Sequence, residues 1–504
     1  MEQESGKSGP RRLVSGGAWF LGLMTLSGFF WLLLGIQMSR VYGPEGYGVF
    51  STTASVFDFM WAFIFGGIFE GLIHFGASYL TKKDADIPSF FSKYLRYLTI
   101  MSIIVFVGLS AVAFQTTSNT TRILLFSLAC AFLFSGTKDA LAAILGSLHK
   151  NRQLSTVNSI GFYVITVIGL AFMVMKMPYD LLPLLITFGP ISQAVLCVYF
   201  SKPYIKDLVK NNIDFFRTRK LKHALMEDFR DYKHILLFGF SVSIGKISFM
   251  VMKSLDIPIL TLFFDYSNVG IYSVADTASS VLFSMTAFAL PIISSISEAW
   301  TKNDCEEIEN CVKIAVKFPL ILGLPLTVII FVLAEPIILG IFGPIYQGAV
   351  MPLQILINGT FLLMFGHTLS SILIGIGKPK LSGTLMGISA VQYIISLFIL
   401  VPIFGLNGAA ISLTLTGVTS LALIPIAIKR NVKVAVFSGI HKVIFSGAVL
   451  GVLLFVVQWF YKSNFLIILL GTAASVCVYA LLLHFTGYIT REEIKMLRNV
   501  KPEQ

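Results

Sequence analysis

Charged side chains are scarce in this chain of 504 residues: Asp, Glu, Lys and Arg together make up only 13% of it. Soluble proteins carry roughly 25%, so a set of soluble domains is excluded. Hydrophobic residues instead reach 56%. They come in long blocks, many of about 20 residues, which is the length that spans a hydrocarbon core of ~30 Å. Strands of a membrane β-barrel would alternate apolar and polar residues over ~10 positions. We therefore expect an all-α polytopic membrane protein.

Cysteine is also rare, since the chain has five, at scattered positions. No two of them have the spacing of zinc ligands, and their placement does not indicate a disulfide framework. The chain also lacks a nucleophile motif, a phosphate-binding loop and a zinc-protease helix. We therefore expect neither an enzyme nor a bound metal or organic cofactor. The residues that carry function are expected inside the membrane-spanning segments.

Basic residues outnumber acidic ones and give a formal net charge of +12. Their placement argues against binding of nucleic acid. With the N-terminus inside, the cytoplasmic segments hold 31 of the 38 Lys and Arg, which is the positive-inside bias of a plasma-membrane protein. Both termini are then cytoplasmic. The fourteen predicted spans are 14–38, 48–77, 96–114, 122–148, 155–175, 181–200, 235–263, 270–296, 314–334, 351–375, 381–404, 407–428, 443–460 and 465–486.

Two echoes in the sequence indicate an internal repeat. Gly46–Ser51 resembles Asn268–Ser273 at an offset of 222 residues. Ile144–Ser155 resembles Ile372–Ser382 at offsets of 228 and then 227. Both echoes pair spans one to six with spans seven to twelve. Six spans restore the direction of the chain, so the two repeats are parallel, as in transporters whose site lies between two lobes.

The repeat predicts the domain organisation. We expect an N-lobe over residues 1–200, a basic cytoplasmic linker over 201–234 and a C-lobe over 235–430. Residues 431–504 would add two further helices and a cytoplasmic tail. The linker has two interpretations, as a solvated connection or as a basic amphipathic segment that lies on anionic lipid.

Four strings resemble the motifs of Wzx-type polysaccharide flippases, in both order and spacing. They are Ser39–Phe50, Ser254–Asp256 continued by Val269–Ala275 and Pro291, Ile341–Ala349, and Phe404–Ile411. These flippases form the oligosaccharide branch of the MOP superfamily, which also contains the MATE antiporters. One departure lies at His74–Phe75, where the family commonly has Arg before Phe. The resemblance covers roughly residues 13–430.

The resemblance implies that the chain flips a polyprenyl-phosphate-linked oligosaccharide from the cytoplasmic to the outer leaflet by alternating access. Its partners would be this lipid-linked oligosaccharide, membrane lipids, and a glycan polymerase or glycosyltransferases. The alternative is an ion-coupled MATE-type multidrug or cation antiporter, which would need an acidic, aromatic-lined cavity. The motif strings favour the flippase.

Three ionisable side chains are predicted at one depth in the membrane. At a rise of ~1.5 Å per residue, Lys246, Lys138 and Asp58 each lie ~15 Å from a membrane surface, near the middle of the core. Lys253 follows Lys246 by seven residues and projects from nearly the same helix face. Ammonium groups bind phosphate as compact charges, so we expect these three lysines to bind the anionic headgroup.

The acidic residues leave other interpretations open. Lys253 lies three residues before Asp256, so the two could form an internal ion pair, and Lys138–Asp139 could be a local polar kink. A carboxylate near the midplane can also bind H⁺ or Na⁺ and couple its gradient to transport. We expect Asp58 to have that role, with Asp256 as the second candidate.

Overall fold

The computed structural model describes residues 9–80, 87–148, 150–218, 243–283, 289–302, 304–432, 439–460 and 465–488. These residues form helices joined by short turns, and no strand occurs among them. By length and hydropathy, eleven segments of the described chain are able to cross a membrane. The expectation of an all-α polytopic membrane protein is confirmed.

Most of the predicted spans have a counterpart among these eleven segments. Predicted spans one and two lie together in Thr25–Ile73, while spans three to six and nine to fourteen each match one segment. Spans seven and eight, at 235–263 and 270–296, fall partly on residues outside the described ranges. The count of fourteen therefore stays a prediction.

The helices divide into two compact units, of which the first holds the residues up to Thr277 together with Met386–Phe398. Residues 243–254 of this unit are also helical and end at a bend at Leu255. The other helices that begin in this unit are α1 (Gly9–Trp61), α2 (Gly67–Leu80), α3 (Ile87–Gln115), α4 (Asn119–Ser147), α5 (Asn151–Val174), α6 (Leu184–Phe200), α7 (Lys202–Thr218), α8 (Asp256–Phe263) and α9 (Tyr266–Ser279).

The second unit holds Ala278–Leu385 and the residues from Ile399 onward. Its core includes Leu353, Leu363 and Ile424, which are fully buried. The helices that begin after residue 279 are α10 (Ala289–Thr301), α11 (Cys305–Val332), α12 (Ala334–Ile337), α13 (Val350–Gly375), α14 (Pro379–Phe404), α15 (Leu406–Asn431), α16 (Ile440–Phe460) and α17 (Phe465–Phe485). The predicted division into lobes stays a prediction beside these two units.

Helix α1 differs from the sequence-based expectation of two spans joined by a loop. The only non-helical residue inside it is Gly43, with φ +70° and ψ −173°, and Pro44 follows directly. Glycine adopts a positive φ at little cost, and proline suits the first turn of a helix because it has no N–H to leave unpaired. The expected loop is therefore reduced to a Gly-Pro break. A π-helical turn, Ala62–Gly66, then joins α1 to α2.

Helix α4 lies at the centre of the first unit and packs against α2, α3 and α6. A side-chain carbon added at Gly136 would lie 2.4 Å from the carbonyl oxygen of Leu98, so α3 and α4 approach each other closely there. The apolar side chains around α4 include Leu72, Leu128 and Phe132, all fully buried. This packing fixes the position of any polar group that α4 carries.

The two segments of the first sequence echo, Gly46–Ser51 and Asn268–Ser273, pack directly against each other. The Oγ atoms of Ser51 and Ser273, which are equivalent in the repeat, are 2.7 Å apart. A Cβ at Gly48 would lie 1.9 Å from the carbonyl oxygen of Tyr266, and one at Gly270 would lie 1.8 Å from that of Pro44. Only glycine allows backbones to come this close, so the repeated glycines permit the crossing of α1 and α9.

The first half of the expected linker is a helix and not an extended, solvated segment. Helix α7 packs against α3 and buries Leu208. Arg96 of α3 donates a hydrogen bond from Nη1 to Oδ1 of Asn212 at 3.0 Å. The three lysines at 202, 206 and 210 remain exposed. Residues 219–242, the rest of the linker, lie outside the described residues.

Candidate functional site

Two lysines of the first unit lie beside one indole ring. The Nζ atom of Lys138 is 5.4 Å from the centroid of the Trp61 ring. The Nζ atom of Lys246 is 6.0 Å from the same ring and 5.7 Å from the ring of Phe69. We call Trp61, Lys138, Asp139 and Lys246 the lysine–indole cluster. Ammonium groups at these distances are attracted to the negative faces of aromatic rings.

The local structure explains how each member of the cluster is held. Trp61 is the last residue of α1, immediately before the π-helical turn. Lys138 and Asp139 belong to the enclosed helix α4, and Lys246 to the helical residues 243–254. Single π-helical turns are rare and are often found at functional sites because they redirect the side chains around them.

Asp139 neutralises one of the two lysines. Its Oδ1 lies 2.8 Å from Nζ of Lys138, and its Oδ2 accepts a hydrogen bond of 2.8 Å from Nε1 of Trp61. The side chain of Asp139 is only 2% exposed and that of Lys138 is 12% exposed. Lys138 is therefore paired with Asp139, whereas Lys246 is exposed on the first unit.

Asp58 lies three residues before Trp61, which brings both side chains to one side of α1. It is half-buried, and its carboxylate is within electrostatic range of the ammonium groups of Lys253 and Lys138. The structure thus brings together three of the residues predicted from sequence depth alone. Whether they bind substrate or couple an ion stays a prediction.

Asp256 is held by a tyrosine hydroxyl and a backbone N–H, while its pairing with Lys253 stays a prediction. It lies at the first residue of α8, after the bend at Leu255. Its Oδ2 accepts a hydrogen bond of 2.7 Å from the hydroxyl of Tyr272, and its Oδ1 accepts one of 2.9 Å from the backbone N–H of Ile257. Asp276 is within electrostatic range of Asp256. The break places a buried carboxylate at a helix N-terminus, where negative charge is favoured.

The aromatic members of the site were missed by the sequence reasoning. Trp61 and Phe69 were not predicted, although Trp61 follows Asp58 at helical spacing. Tyr272 is a second omission, since it stands in the repeated segment Asn268–Ser273 and is fully buried. An aromatic residue one turn from a mid-span charge was the available signal.

Comparison with known proteins begins with a family model described as a polysaccharide biosynthesis protein, which matches residues 206–351. The chain is 31% identical over 186 residues to an uncharacterised membrane protein of Methanocaldococcus jannaschii, covering 36% of each chain. It is 29% identical over 164 residues to the probable low-salt glycan biosynthesis flippase Agl15 of Haloferax volcanii, covering 32% of this chain and 34% of Agl15. The matches thus span about a third of the curated relatives' length.

Solved structures match over nearly the whole chain. The lipid II flippase MurJ, in an inward closed conformation, has a TM-score of 0.70 at 15% identity, covering 93% of this chain and 98% of MurJ. An inward-facing MATE family multidrug transporter of the MOP superfamily has a TM-score of 0.64 at 17% identity, covering 80% and 94%. The chain thus has the fold of these two solved structures. The resemblance of the chain to polysaccharide flippases is confirmed.

Proposed function

We propose that this protein flips a polyprenyl-phosphate-linked oligosaccharide from the cytoplasmic to the outer leaflet by alternating access. The observation that carries the proposal is the convergence of Lys138 and Lys246 on the ring of Trp61. An exposed lysine in the middle of a span is costly unless it faces water or an anionic ligand. Phosphate is the anion that a lipid-linked glycan would present there.

The acidic residues have a separate role in this proposal. Asp58 carries the coupling ion, H⁺ or Na⁺, and Asp256 is the second candidate. The proximity of Asp58 to Lys253 and Lys138 supports this role, because a bound anion would change the local field that the carboxylate experiences. Coupling by a midplane carboxylate of this kind is a frequent device in transporters.

The proposal includes an orientation and a cellular setting. Both termini are in the cytoplasm, the protein is in the plasma membrane, and glycosyltransferases or a glycan polymerase supply and consume its substrate. In a variant with its native cysteines replaced by Ser, a cysteine at the exposed position Thr117 should react with an impermeant maleimide in intact cells. A cysteine at the exposed Lys210 of α7 should react only after the membrane is opened. Reaction of position 210 in intact cells contradicts the orientation.

The substrate class is tested in proteoliposomes. A fluorescent polyprenyl-diphosphate-linked disaccharide in the inner leaflet should reach the outer leaflet, where dithionite quenches it, only with active protein. Empty vesicles and heat-inactivated protein are the controls. No flipping above the empty vesicles contradicts the proposal.

A second candidate function has a specific observation in its favour. The matching MATE transporter has a TM-score of 0.64, and the first unit holds acids near buried aromatic rings, among them Asp256 bonded to Tyr272. A cation antiporter would use these acids directly. Export of an organic cation such as ethidium from the same proteoliposomes, without flipping of the lipid-linked disaccharide, would favour this second function.

A further inference from the structure

The second unit contains a cavity of about 460 Å³. None of the residues that line it belongs to the lysine–indole cluster. It lies between α12, the turn at Pro344–Ala349, the first residues of α13 and the start of α15. This volume falls within the range of ~300–1,000 Å³ that is usual for ligand clefts. On the predicted topology all of these segments are at the external ends of spans nine to twelve.

Most of the polar side chains that line the cavity are amides, and only one is charged. Three amide side chains line the cavity, Gln347, Gln354 and Asn407, together with the carboxylate of Glu335. Among the described residues that line it, none is basic and none is aromatic. Phosphate would require cations, and a lipophilic cation would be expected to use aromatic faces. Amides both donate and accept hydrogen bonds, as sugar hydroxyls do.

Asn407 has unused hydrogen-bonding capacity at this cavity. Its Oδ1 is buried and has no hydrogen-bond partner among the described residues. Its Nδ2 donates only to Sδ of Met351, at 3.5 Å, and a thioether is a weak acceptor. A buried amide left in this state costs free energy that a bound hydroxyl group would recover. We take this unpaired amide oxygen as an indication that the cavity binds a ligand.

The backbone holds Asn407 in place without help from a ligand. Gly405 has φ +61° at the turn between α14 and α15. A Cβ added at Gly408 would lie 2.1 Å from the carbonyl oxygen of Leu400, so this turn packs tightly. Gln354 is anchored in turn, since its Nε2 donates to the carbonyl of Phe331 at 3.3 Å. Two of the three amides are therefore oriented in advance, which lowers the entropy lost on binding.

We propose that this cavity is a binding site for neutral sugar residues, which receives the oligosaccharide at the outer end of the transport cycle. The inference rests on the proposed function, because it names where the glycan part of the lipid-linked substrate binds. Sugar hydroxyls would pair with Asn407 and Gln354, and Glu335 would accept from a vicinal diol. The headgroup phosphate would not bind here.

The test uses the full chain in detergent micelles and saturation-transfer NMR with free disaccharides: cellobiose, chitobiose and mannobiose. Wild type should transfer saturation to at least one of them. Asn407→Leu and Gln354→Leu should each weaken binding about tenfold, the loss expected for about one hydrogen bond. The matched control is Asn358→Leu, an amide on α13 outside the cavity whose Nδ2 donates to the carbonyl of Gln354. Its binding should be unchanged.

Three outcomes overturn the inference. They are no saturation transfer to any disaccharide in wild type, equal loss in the Asn358 control, and binding of tetraphenylphosphonium in place of disaccharides. Gln354→Leu changes a residue near the surface, so it keeps the test valid if Asn407→Leu does not fold. Normal flipping by wild-type protein that binds none of the disaccharides would contradict this site alone. Disaccharide binding without any flipping would contradict the proposed function.

Discussion

The regions around Lys138 and Lys246 differ in how they surround a positive charge, although both lysines lie beside Trp61. Lys138 is 12% exposed and forms an ion pair of 2.8 Å with Asp139, whose other oxygen is occupied by the indole N–H. Lys246 is exposed and lies over the rings of Trp61 and Phe69. Two lysines that are predicted at one depth therefore have different environments.

This difference separates a charge that maintains the structure from one that is available to a ligand. A paired, buried charge has its field largely cancelled by its partner, and removing that partner is expensive. The exposed ammonium of Lys246, which lies over two rings, is accessible to a phosphate in solution or in a lipid headgroup. We infer that Lys138 shapes the site and orients Trp61, whereas Lys246 makes the first contact with the headgroup.

The largest expected effect comes from breaking the ion pair. Asp139→Asn should lower the free energy of unfolding by about 3–5 kcal/mol, because it leaves the ammonium of Lys138 buried without its counter-charge. The measurement is thermal unfolding of the protein in detergent, followed by tryptophan fluorescence. The double variant Lys138→Met with Asp139→Leu should recover most of the loss, since neither charge is then buried.

This pair of variants also tests the assignment of roles. If Lys138 contributes mainly to structure, the recovered double variant should flip the lipid-linked disaccharide at a rate within a few fold of wild type. A double variant that is stable but inactive would show that Lys138 itself binds the headgroup. The comparison between the two lysines would then no longer hold.

The next effect in size concerns Lys246. Lys246→Ala should slow flipping about a hundredfold, the loss expected for one charge-assisted contact with phosphate, while the melting temperature stays within a few degrees. Lys246→Arg should restore part of the rate, because it keeps the charge but changes its shape. The control is Lys202→Ala on the exposed face of α7. Wild-type flipping by the alanine variant would contradict headgroup binding at this position.

The third prediction concerns Asp58, which interacts electrostatically with Lys138 and Lys253. An ionised carboxylate in the middle of a span costs at least ~2.5 kcal/mol, so a role or a partner is needed to retain it. Asp58→Asn should keep headgroup binding but lose the stimulation of flipping by an imposed H⁺ or Na⁺ gradient. Unchanged gradient dependence, at equal amounts of inserted protein, would exclude Asp58 as the coupling group and leave Asp256 as the next candidate.

The repeat shows how much of the fold can be predicted from the sequence alone. The offset of 222 residues pairs Gly48 with Gly270 and Ser51 with Ser273, and the structure brings these residues together. Hydropathy likewise located the spans, because a helix in hydrocarbon must be apolar over its whole length. That the equivalent residues also touch each other was not predictable, since an offset contains no information on distance.

The sequence predicted a common depth for the candidate residues, but it did not predict their contacts. Counting residues along each helix placed Asp58, Lys138 and Lys246 at one level, because helix rise is constant. The bond between Trp61 and Asp139 joins residues 78 apart in sequence, and it depends on how α1 and α4 pack. The bend at Leu255, which diverts Asp256 to Tyr272, arises from local backbone geometry that hydropathy does not detect.

The smallest expected effect comes from the ring of Phe69, 5.7 Å from Nζ of Lys246. Phe69→Leu keeps the apolar volume but removes the aromatic face, whose attraction to an ammonium is worth about 0.5–1 kcal/mol at an accessible position. Because Trp61 remains beside Lys246, the concentration of lipid-linked disaccharide needed for half-maximal flipping should rise only about threefold, with little change in maximal rate. Phe63→Leu is the control, since Phe63 is an exposed ring that packs on Phe59. Equal effects of the two leucine variants would show that ring volume matters and not the cation–π contact. The contact with Phe69 would then no longer distinguish the environment of Lys246 from that of Lys138.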